Sequence, residues 1–580
     1  MNQFAVSVLL ICGLLACAAA GGYTAVENRV TPGMISCDTY SVRQLFGDGK
    51  LTLETAPELY ARLGIPGLTF NDMFFPPLGP GLPWDQGYLD KLNAAMAKYG
   101  RVPTCLIMEG DLANPDDAAW ERQIQENTMK LRAAAYLGCP VVRMNVGGTG
   151  DAERDATFGV ERVAAAFNRM IPLAKELNIK LTIENHGGVS ATADNILRII
   201  ELTDPAWVGS CLDFGNWPAD VRYESCRKLA PHAYHTHCKA RSFDAVGEDE
   251  GMEFGRILAY LRAAGYNRAL SIEFEGGGDP VEGVEKSRDL LLRYWPAGAN
   301  TVADVWARIL PPGAQARKIR GDFRFTEGPA WDGRGNSLYF SDIPASTIYH
   351  LDSDGKVSVF LSPSAEANGL ALDQDNNLIA CRHQARDVAR ITPGGKVTVI
   401  ADSFDGGRLN SPNDLAIARG GAIYFTDPAY GLGGAPGEQP VEGVYRIAPN
   451  GGVTRIIEDM VRPNGIVIGP GEQTLYVADS ARRVIRAYDL ARDGRVSNGR
   501  DFASVEGTPD GMALDAMGNL YCAAGGGVWA FDYAGDKLGV IPIPETPANC
   551  AFGGADLGTL FVTAQTSLYQ VPLGVSGWSN

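Results

Sequence analysis

The chain has 580 residues, 45% of them hydrophobic and 21% charged. That length exceeds one ordinary domain, and that composition excludes a mainly disordered chain. With 51 Lys and Arg against 68 Asp and Glu the net charge is −17, which argues against nucleic acid or an acidic membrane held by bulk electrostatics. The 11 cysteines are spread singly, with no Cys-x-x-Cys pair, so neither a zinc ribbon nor a disulfide framework is expected. Cys139, Cys211, Cys238, Cys381, Cys522 and Cys550 lie in apolar runs and read as small buried hydrophobes.

Residues 1–20 read as a signal peptide, apolar over 4–20 and ending in small residues. Leu14-Leu15-Ala16-Cys17 resembles a bacterial lipobox, although no Lys or Arg precedes the apolar run. The resemblance implies an exported chain, periplasmic or extracellular, with Cys17 as the lipid-anchor position and the only membrane link. No later segment is long and apolar enough to span a bilayer.

Eight short apolar runs follow, at 34–40, 67–70, 102–108, 141–146, 180–184, 208–213, 233–238 and 269–274. Amphipathic stretches separate them, among them 116–137, 159–177, 193–202 and 254–264. Strand–helix alternation implies a parallel sheet, and eight such units imply a closed (β/α)8 TIM barrel over 30–295. Residues 296–316, broken by Pro296, Gly298, Pro311, Pro312 and Gly313, read as a linker with one short helix.

From Arg317 onward short strands alternate with Asp-Gly, Gly-Gly and Asn-Gly turns. A polar opener recurs before a short apolar strand: Glu327-Gly328, Asn368-Gly369, Asn413-Asp414, Asn464-Gly465, Asp510-Gly511 and Asn549-Cys550. By their numbering the openers lie 41, 45, 51, 46 and 39 residues apart. Repeats of this length with several strands each predict an all-β six-bladed β-propeller over 317–575.

Barrels carry their chemistry at the C-terminal ends of strands. Strands five to eight end at Glu184, Asp213, His237 and Glu273. Three carboxylates and an imidazole suit Mn²⁺, Mg²⁺, Co²⁺ or Zn²⁺. His235 shares a strand face with His237, so the spacing leaves both facing inward. The order and flanks of these motifs resemble the xylose isomerase-like barrel superfamily of sugar isomerases and epimerases over nearly all of 34–295. The resemblance implies that Glu184, Asp213, His237 and Glu273 hold the metal, with Glu184 and Glu273 as acid and base. One would take a proton from a carbon beside a carbonyl and the other would return it. Arg143 and His186 are candidates to bind hydroxyls or a carboxylate; Arg143 also fits a structural ion pair. One departure stands out: strand two, Gly67-Leu68-Thr69-Phe70-Asn71-Asp72, lacks the acidic residue often found on that strand.

In a propeller the first strand of each blade lines the central channel, so the six openers converge on one axis. All six offer oxygen, which suits Ca²⁺ foremost and admits Mg²⁺ or Zn²⁺. Asn and Asp before Gly also make ordinary turns. The motifs Thr326-Glu327-Gly328-Pro329-Ala330-Trp331, Leu409-Asn410-Ser411-Pro412-Asn413-Asp414, Tyr424-Phe425-Thr426-Asp427-Pro428, Arg462-Pro463-Asn464-Gly465 and Pro509-Asp510-Gly511-Met512 resemble the gluconolactonase and senescence-marker-protein (regucalcin) family. That resemblance implies a metal on Glu327, Asn464 and Asp510, with Asn413 near metal or substrate. It implies lactone hydrolysis with Asp510 as the base. Arg408 fits either a contact to a sugar acid or a solvated loop charge.

The expectation is an exported two-domain enzyme acting on a sugar, keto-sugar or sugar lactone. The alternative has one catalytic half, the propeller being a Ca²⁺-binding interaction module. A metal-dependent nuclease barrel is disfavoured by the net charge and the lack of basic clusters. No Gly-x-Ser-x-Gly, His-Glu-x-x-His or Walker A motif occurs.

Overall fold

The computed structural model describes residues 30–78 and 84–578, so the leader reading and Cys17 lie outside the described residues. The chain forms two compact units, divided between Asn300 and Thr301. Among the described residues no helix is long and apolar enough to cross a membrane.

The first unit is a closed barrel of eight parallel strands in sequential order. They are β1 Ile35–Asp38, β2 Gly67–Asn71, β3 Val102–Met108, β4 Val141–Met144, β5 Lys180–Glu184, β6 Val208–Asp213, β7 Ala233–Ala240 and β8 Leu270–Phe274. Strands β1, β2, β4, β6 and β8 are buried along their whole length, because helices cover one face and the barrel interior the other. The helix Val160–Leu177 shows why these segments are helical: Val163, Ala164, Phe167, Met170, Ile171 and Ala174 recur at three- and four-residue spacing and are buried. The helix Asp117–Leu137 starts where the Asp116 side chain accepts from Ala119 N at 2.7 Å, and ends at Gly138 with φ 81°.

Inside the barrel the strands stack polar side chains in layers. A lower layer of hydroxyls links Ser36 to Thr104 (2.6 Å), Thr104 to Thr69 (3.0 Å) and Thr69 to Ser271 (2.9 Å). His235 Nε2 joins this layer at 3.4 Å from Thr69 Oγ1. Two residues further along β7, one pleat higher, stands His237. The open choice between the two histidines is thereby resolved: both face inward, at different depths.

The second unit is six four-stranded antiparallel sheets, the blades of a propeller, with a small hairpin pairing Ser403–Phe404 with Gly407–Arg408. The innermost strands are Thr326–Asp332, Ala367–Leu372, Leu415–Ile417, Pro463–Ile468, Met512–Leu514 and Pro547–Gly553. They line a cavity of about 270 Å³ along the channel. Between blades the core is aliphatic and aromatic; between the second and third it holds Ile379, Cys381, Val388, Phe425 and Tyr445. The helix Val302–Ile309, inside the segment read as a linker, packs on the strand Lys537–Ile541.

The ring closes with β9, Arg317–Arg320, which forms the outer strand of the sixth blade against Ser567–Pro572. Glu545 pins this closure. Its carboxylate accepts from Lys318 Nζ at 2.8 Å, and from Thr566, Ser567 and Tyr569 at 2.6–3.1 Å. Partial burial raises its pKa, but these bonds, led by Lys318, outweigh that and hold it down to about 2. A depressed carboxylate stabilises the fold above its unfolded pKa, near 4.3, and loses that contribution as pH falls through the folded value. Glu545→Gln is therefore expected to cost about 1 kcal/mol at pH 7, allowing for solvent screening, or about 2–4 °C in the propeller's melting transition. At pH 3 the deficit should shrink to about half; thermal scans at the two pH values check this, and an undiminished deficit would contradict it.

Candidate functional sites in the barrel and the propeller

In the barrel, Glu184 and Asp213 end β5 and β6, His237 lies three residues before the end of β7 and Glu273 one before the end of β8, and all four are buried. One ligand atom from each lies within 4.8 Å of those of the others. Glu184 Oε1 meets His237 Nδ1, and Glu273 Oε2 is 3.6 Å from the same nitrogen. Asp213 Oδ1 caps its own turn, accepting from Gly215 N and Asn216 N, each at 2.7 Å. His237 Nε2 is buried with no hydrogen-bond partner. Asp213 Oδ2 and Glu273 Oε2 are likewise buried without a hydrogen-bond partner; unsatisfied carboxylate oxygens gathered beside an imidazole fit a divalent cation, and these four residues would hold it.

Two cations of the protein also enter this layer. Arg143, on β4, bridges Glu184 and Glu109, the latter at 2.7 Å. Lys239, two residues after His237 and on the same face, lies 3.1 Å from Glu273, 3.4 Å from Asp213, 3.3 Å from Glu275 and 2.8 Å from Asn216 Oδ1. Burial lowers the Lys239 pKa, but Asp213, Glu273 and Glu275 outweigh it and keep the ammonium charged. Burial pushes the Asp213 carboxyl up to about 7 against the pull of Lys239. Side-chain cations thus already offset part of the carboxylates' charge. His186 stands exposed in the loop after β5, near Arg143 and Glu109.

Sequence reasoning missed Asp38. It ends β1 fully buried; Oδ1 accepts from Tyr40 N at 3.0 Å, and Oδ2 has no partner. His237, Glu273 and Arg143 all act on it electrostatically, while burial pushes its pKa up to about 7. Its signal was the same as that of the other four: an acid closing an apolar strand.

In the propeller, Glu327, Asn368, Asn413, Asn464 and Asn549 are buried and Asp510 is partly buried. The sheet pairing slips just at the openers, between Glu327 and Ala330, Ala367 and Leu370, and Pro463 and Ile466. Such bulges turn a side chain out of the pleat. The glycines that follow serve close approach. A Cβ on Gly328 (φ 49°) would stand 2.1 Å from the Asn368 carbonyl oxygen, and one on Gly465 would stand 2.1 Å from that of Asp510. The glycines after Glu327, Asn368 and Asn464 thus meet the next blade's backbone, which a local turn does not explain.

Three carboxylates meet here: Glu327, Asp510 and the unforeseen Asp414. Burial raises all three, Glu327 to about 8 and Asp414 to about 6; Glu327 feels Asp414 as a like charge, and Asp510 feels both. Asn549 Nδ2 is 3.4 Å from Asp414 Oδ2, and Asn464 bonds to Asp510. Clustered carboxylates with side-chain amides beside them fit a hard divalent cation on Glu327, Asn464 and Asp510. Asp414 was adjacent to Asn413 in the motif and was passed over for the amide. Arg408 is not brought to this site: it is exposed in the small hairpin and donates to the Ala385 carbonyl at 2.7 Å.

Comparison with known proteins agrees with both halves. The family described as "SMP-30/Gluconolactonase/LRE-like region" matches residues 325–566, and that described as "Xylose isomerase-like TIM barrel" matches 57–294. The gluconolactonase of Zymomonas mobilis is 34% identical over 294 residues, 45% of this chain and 82% of that protein. The pentonolactonase XacC of Haloferax volcanii is 27% identical, over 43% of this chain and 84% of its own. A solved structure from Xanthomonas campestris, described as a gluconolactonase, is 37% identical with a TM-score of 0.45, covering 46% of this chain and 92% of that one. The chain belongs, through its propeller, to the SMP-30/gluconolactonase/LRE-like family, and its N-terminal half is a xylose isomerase-like TIM barrel.

Proposed function

We propose that the protein is an exported two-domain carbohydrate enzyme whose propeller hydrolyses a sugar lactone and whose barrel moves a proton on a sugar or keto-sugar. The observation that carries this reading is the convergence of Glu327, Asn464, Asp510 and Asp414 on the propeller axis, two buried carboxylates, a partly buried one and an amide. The named relatives, a gluconolactonase and a pentonolactonase, support the substrate class. The apolar run over 4–20 supports export, with Cys17 as the anchor position.

Glu327, Asn464 and Asp510 would hold the propeller cation, Ca²⁺ on the donor chemistry, with Mg²⁺ or Zn²⁺ as substitutes. Such an ion supplies polarisation of an ester carbonyl and acidification of water. The protein's own part is proton handling and orientation. Asp510 takes the proton of the attacking water as its oxygen bonds to the acyl carbon. The ring C–O bond breaks, and that proton passes to the departing ring oxygen, leaving an open hydroxy acid. Asn413 lies beside this chemistry to orient the substrate.

In the barrel Glu184, Asp213, His237 and Glu273 would hold Mn²⁺, Mg²⁺, Co²⁺ or Zn²⁺, which stabilises negative charge on a neighbouring oxygen. Glu184 and Glu273 are the proton donor and acceptor at a carbon beside the carbonyl. Arg143, paired with Glu109, holds Glu184, and Arg143 and the exposed His186 would bind a substrate hydroxyl or carboxylate.

The test is acid release from a panel of aldonolactones by the full chain, before and after chelation and after reloading with Ca²⁺ or Mn²⁺. Chelation should lower the rate by at least about 10²-fold and reloading should restore it. A folded, metal-loaded protein that opens no lactone would sink this reading and leave the propeller as a Ca²⁺-binding interaction module.

A further inference from the structure

His383 and Tyr430 stand at the propeller's channel without a part in the water-activating chemistry assigned to Asp510. His383 follows the second strand of the second blade, Leu378–Arg382, and is 6% exposed. Burial holds its pKa down to about 4, so the imidazole is neutral, with one donor and one acceptor nitrogen. Its Nε2 lies 3.2 Å from Nδ2 of Asn368. An amide nitrogen only donates, so Nε2 accepts and the ring proton sits on Nδ1. That contact fixes the amide of Asn368. Its nitrogen is committed to His383, and its carbonyl oxygen points the other way as an acceptor.

The short turn Tyr430–Leu432 packs directly on this histidine. A Cβ on Gly431 would stand 2.8 Å from the Cβ atoms of both His383 and Ser411. Gly431 N donates to Ser411 Oγ at 2.8 Å, and Ser411 Oγ donates to the Pro428 carbonyl at 2.7 Å, so the turn is anchored. It carries Tyr430, 41% exposed, whose hydroxyl reaches Asn464 and Ser480 and which feels the charge of Asp510. The Arg462 guanidinium lies 5.3 Å from the Tyr430 ring centroid. One rigid unit therefore joins the opener of blade two to that of blade four. It presents the Asn368 amide and the Tyr430 phenol, with Arg462 against the ring, beside the catalytic carboxylate.

An amide acceptor and a phenol match a polyhydroxylated ring better than a bare hydrocarbon. We propose that Asn368, held by His383, forms with Tyr430 a hydroxyl-recognition wall that selects lactones bearing ring hydroxyls over unsubstituted ones. This rests on the lactone-hydrolysis reading and deepens it. A site built to bond a hydroxyl discriminates against the analogue lacking it, because its own polar groups are then left unpaired.

The experiment compares kcat/KM on glucono-δ-lactone with that on δ-valerolactone. Tyr430→Phe and His383→Leu should each cut the ratio of the two values about tenfold, through KM for gluconolactone, the size of one hydrogen bond. His383→Gln, which can still accept from Asn368, should recover most of the ratio. An unchanged ratio, or a loss shared equally by the two lactones, would overturn the proposal. Should His383→Leu fail to fold, Tyr430→Phe, which removes only a half-exposed hydroxyl, decides alone. Should the wild-type chain open neither lactone, the hydrolysis reading falls separately. Calorimetric titration of the Ca²⁺-loaded protein with gluconate and with valerate then tests the wall. Gluconate preferred by the wild type and no longer by Tyr430→Phe upholds it; equal binding of the two acids overturns it.

Discussion

Asp510→Ala should lower kcat/KM for sugar-lactone hydrolysis by about 10³-fold or more. The residue is asked to do two things at once, to supply a charged oxygen to the cation and to take the proton of water. Loss of a general base alone is worth about 10²–10⁴, and weakened metal binding adds to it. The side chain feels Glu327 and Asp414 as like charges, so its removal relieves repulsion in the metal-free fold. The variant should therefore melt no lower than the wild type after chelation, while losing the stabilisation that added Ca²⁺ gives the wild type. Initial rates of acid release together with thermal scans at several Ca²⁺ concentrations check both halves. Activity within tenfold of wild type would show that Asp510 is not the base.

Glu273→Gln should abolish the barrel's proton chemistry and leave lactone hydrolysis unchanged within about twofold. Each site is built wholly from its own unit. Glutamine keeps the shape but neither accepts a proton nor carries the charge that binds the ion, and an effect of about 10³-fold or more follows from losing an acid–base group. The fold should survive, because Lys239 retains Asp213 and Glu275 as partners. Deuterium uptake from D2O at the carbon beside the carbonyl, followed by NMR across ketoses and keto-sugars, reads the chemistry. Metal analysis should find one fewer ion per chain. Retained exchange with lost metal would move the acid–base role away from Glu273.

What the sequence made legible is what repeats or alternates. The eight apolar runs match β1 to β8 closely because each strand is buried on both faces and bounded by helical periodicity. The polar openers were visible because the blade repeat places them in register. Less legible were contacts between distant segments. That Gly328 and Gly465 admit the backbone of the next blade depends on residues 40 or more positions away, while locally the same pair reads as a turn. Lys239 shares the face of His237 by simple two-residue alternation, yet a lysine at a strand end ordinarily reads as rim charge, and only the assembled barrel shows it among Asp213, Glu273 and Glu275. Asp38 was hidden because β1 lies far in sequence from the four strands that carry the recognisable set. Arg408 erred in the other direction: it is five residues from Asn413, but it ends the small hairpin over 403–408 and is turned outward there.

The outer strand of the sixth blade has a practical consequence. Because Arg317 pairs with Gln570 and Lys318 with Tyr569, the propeller is buckled by its own two extremities, like a belt. New termini cut in an exposed turn such as that between Asp373 and Asn377 would leave the buckle fastened, whereas trimming 317–320 would bare the edge of Ser567–Pro572. A bare edge is a template for another chain, so a propeller produced alone would be cut upstream of Thr301, where the helix Val302–Ile309 and β9 both come with it.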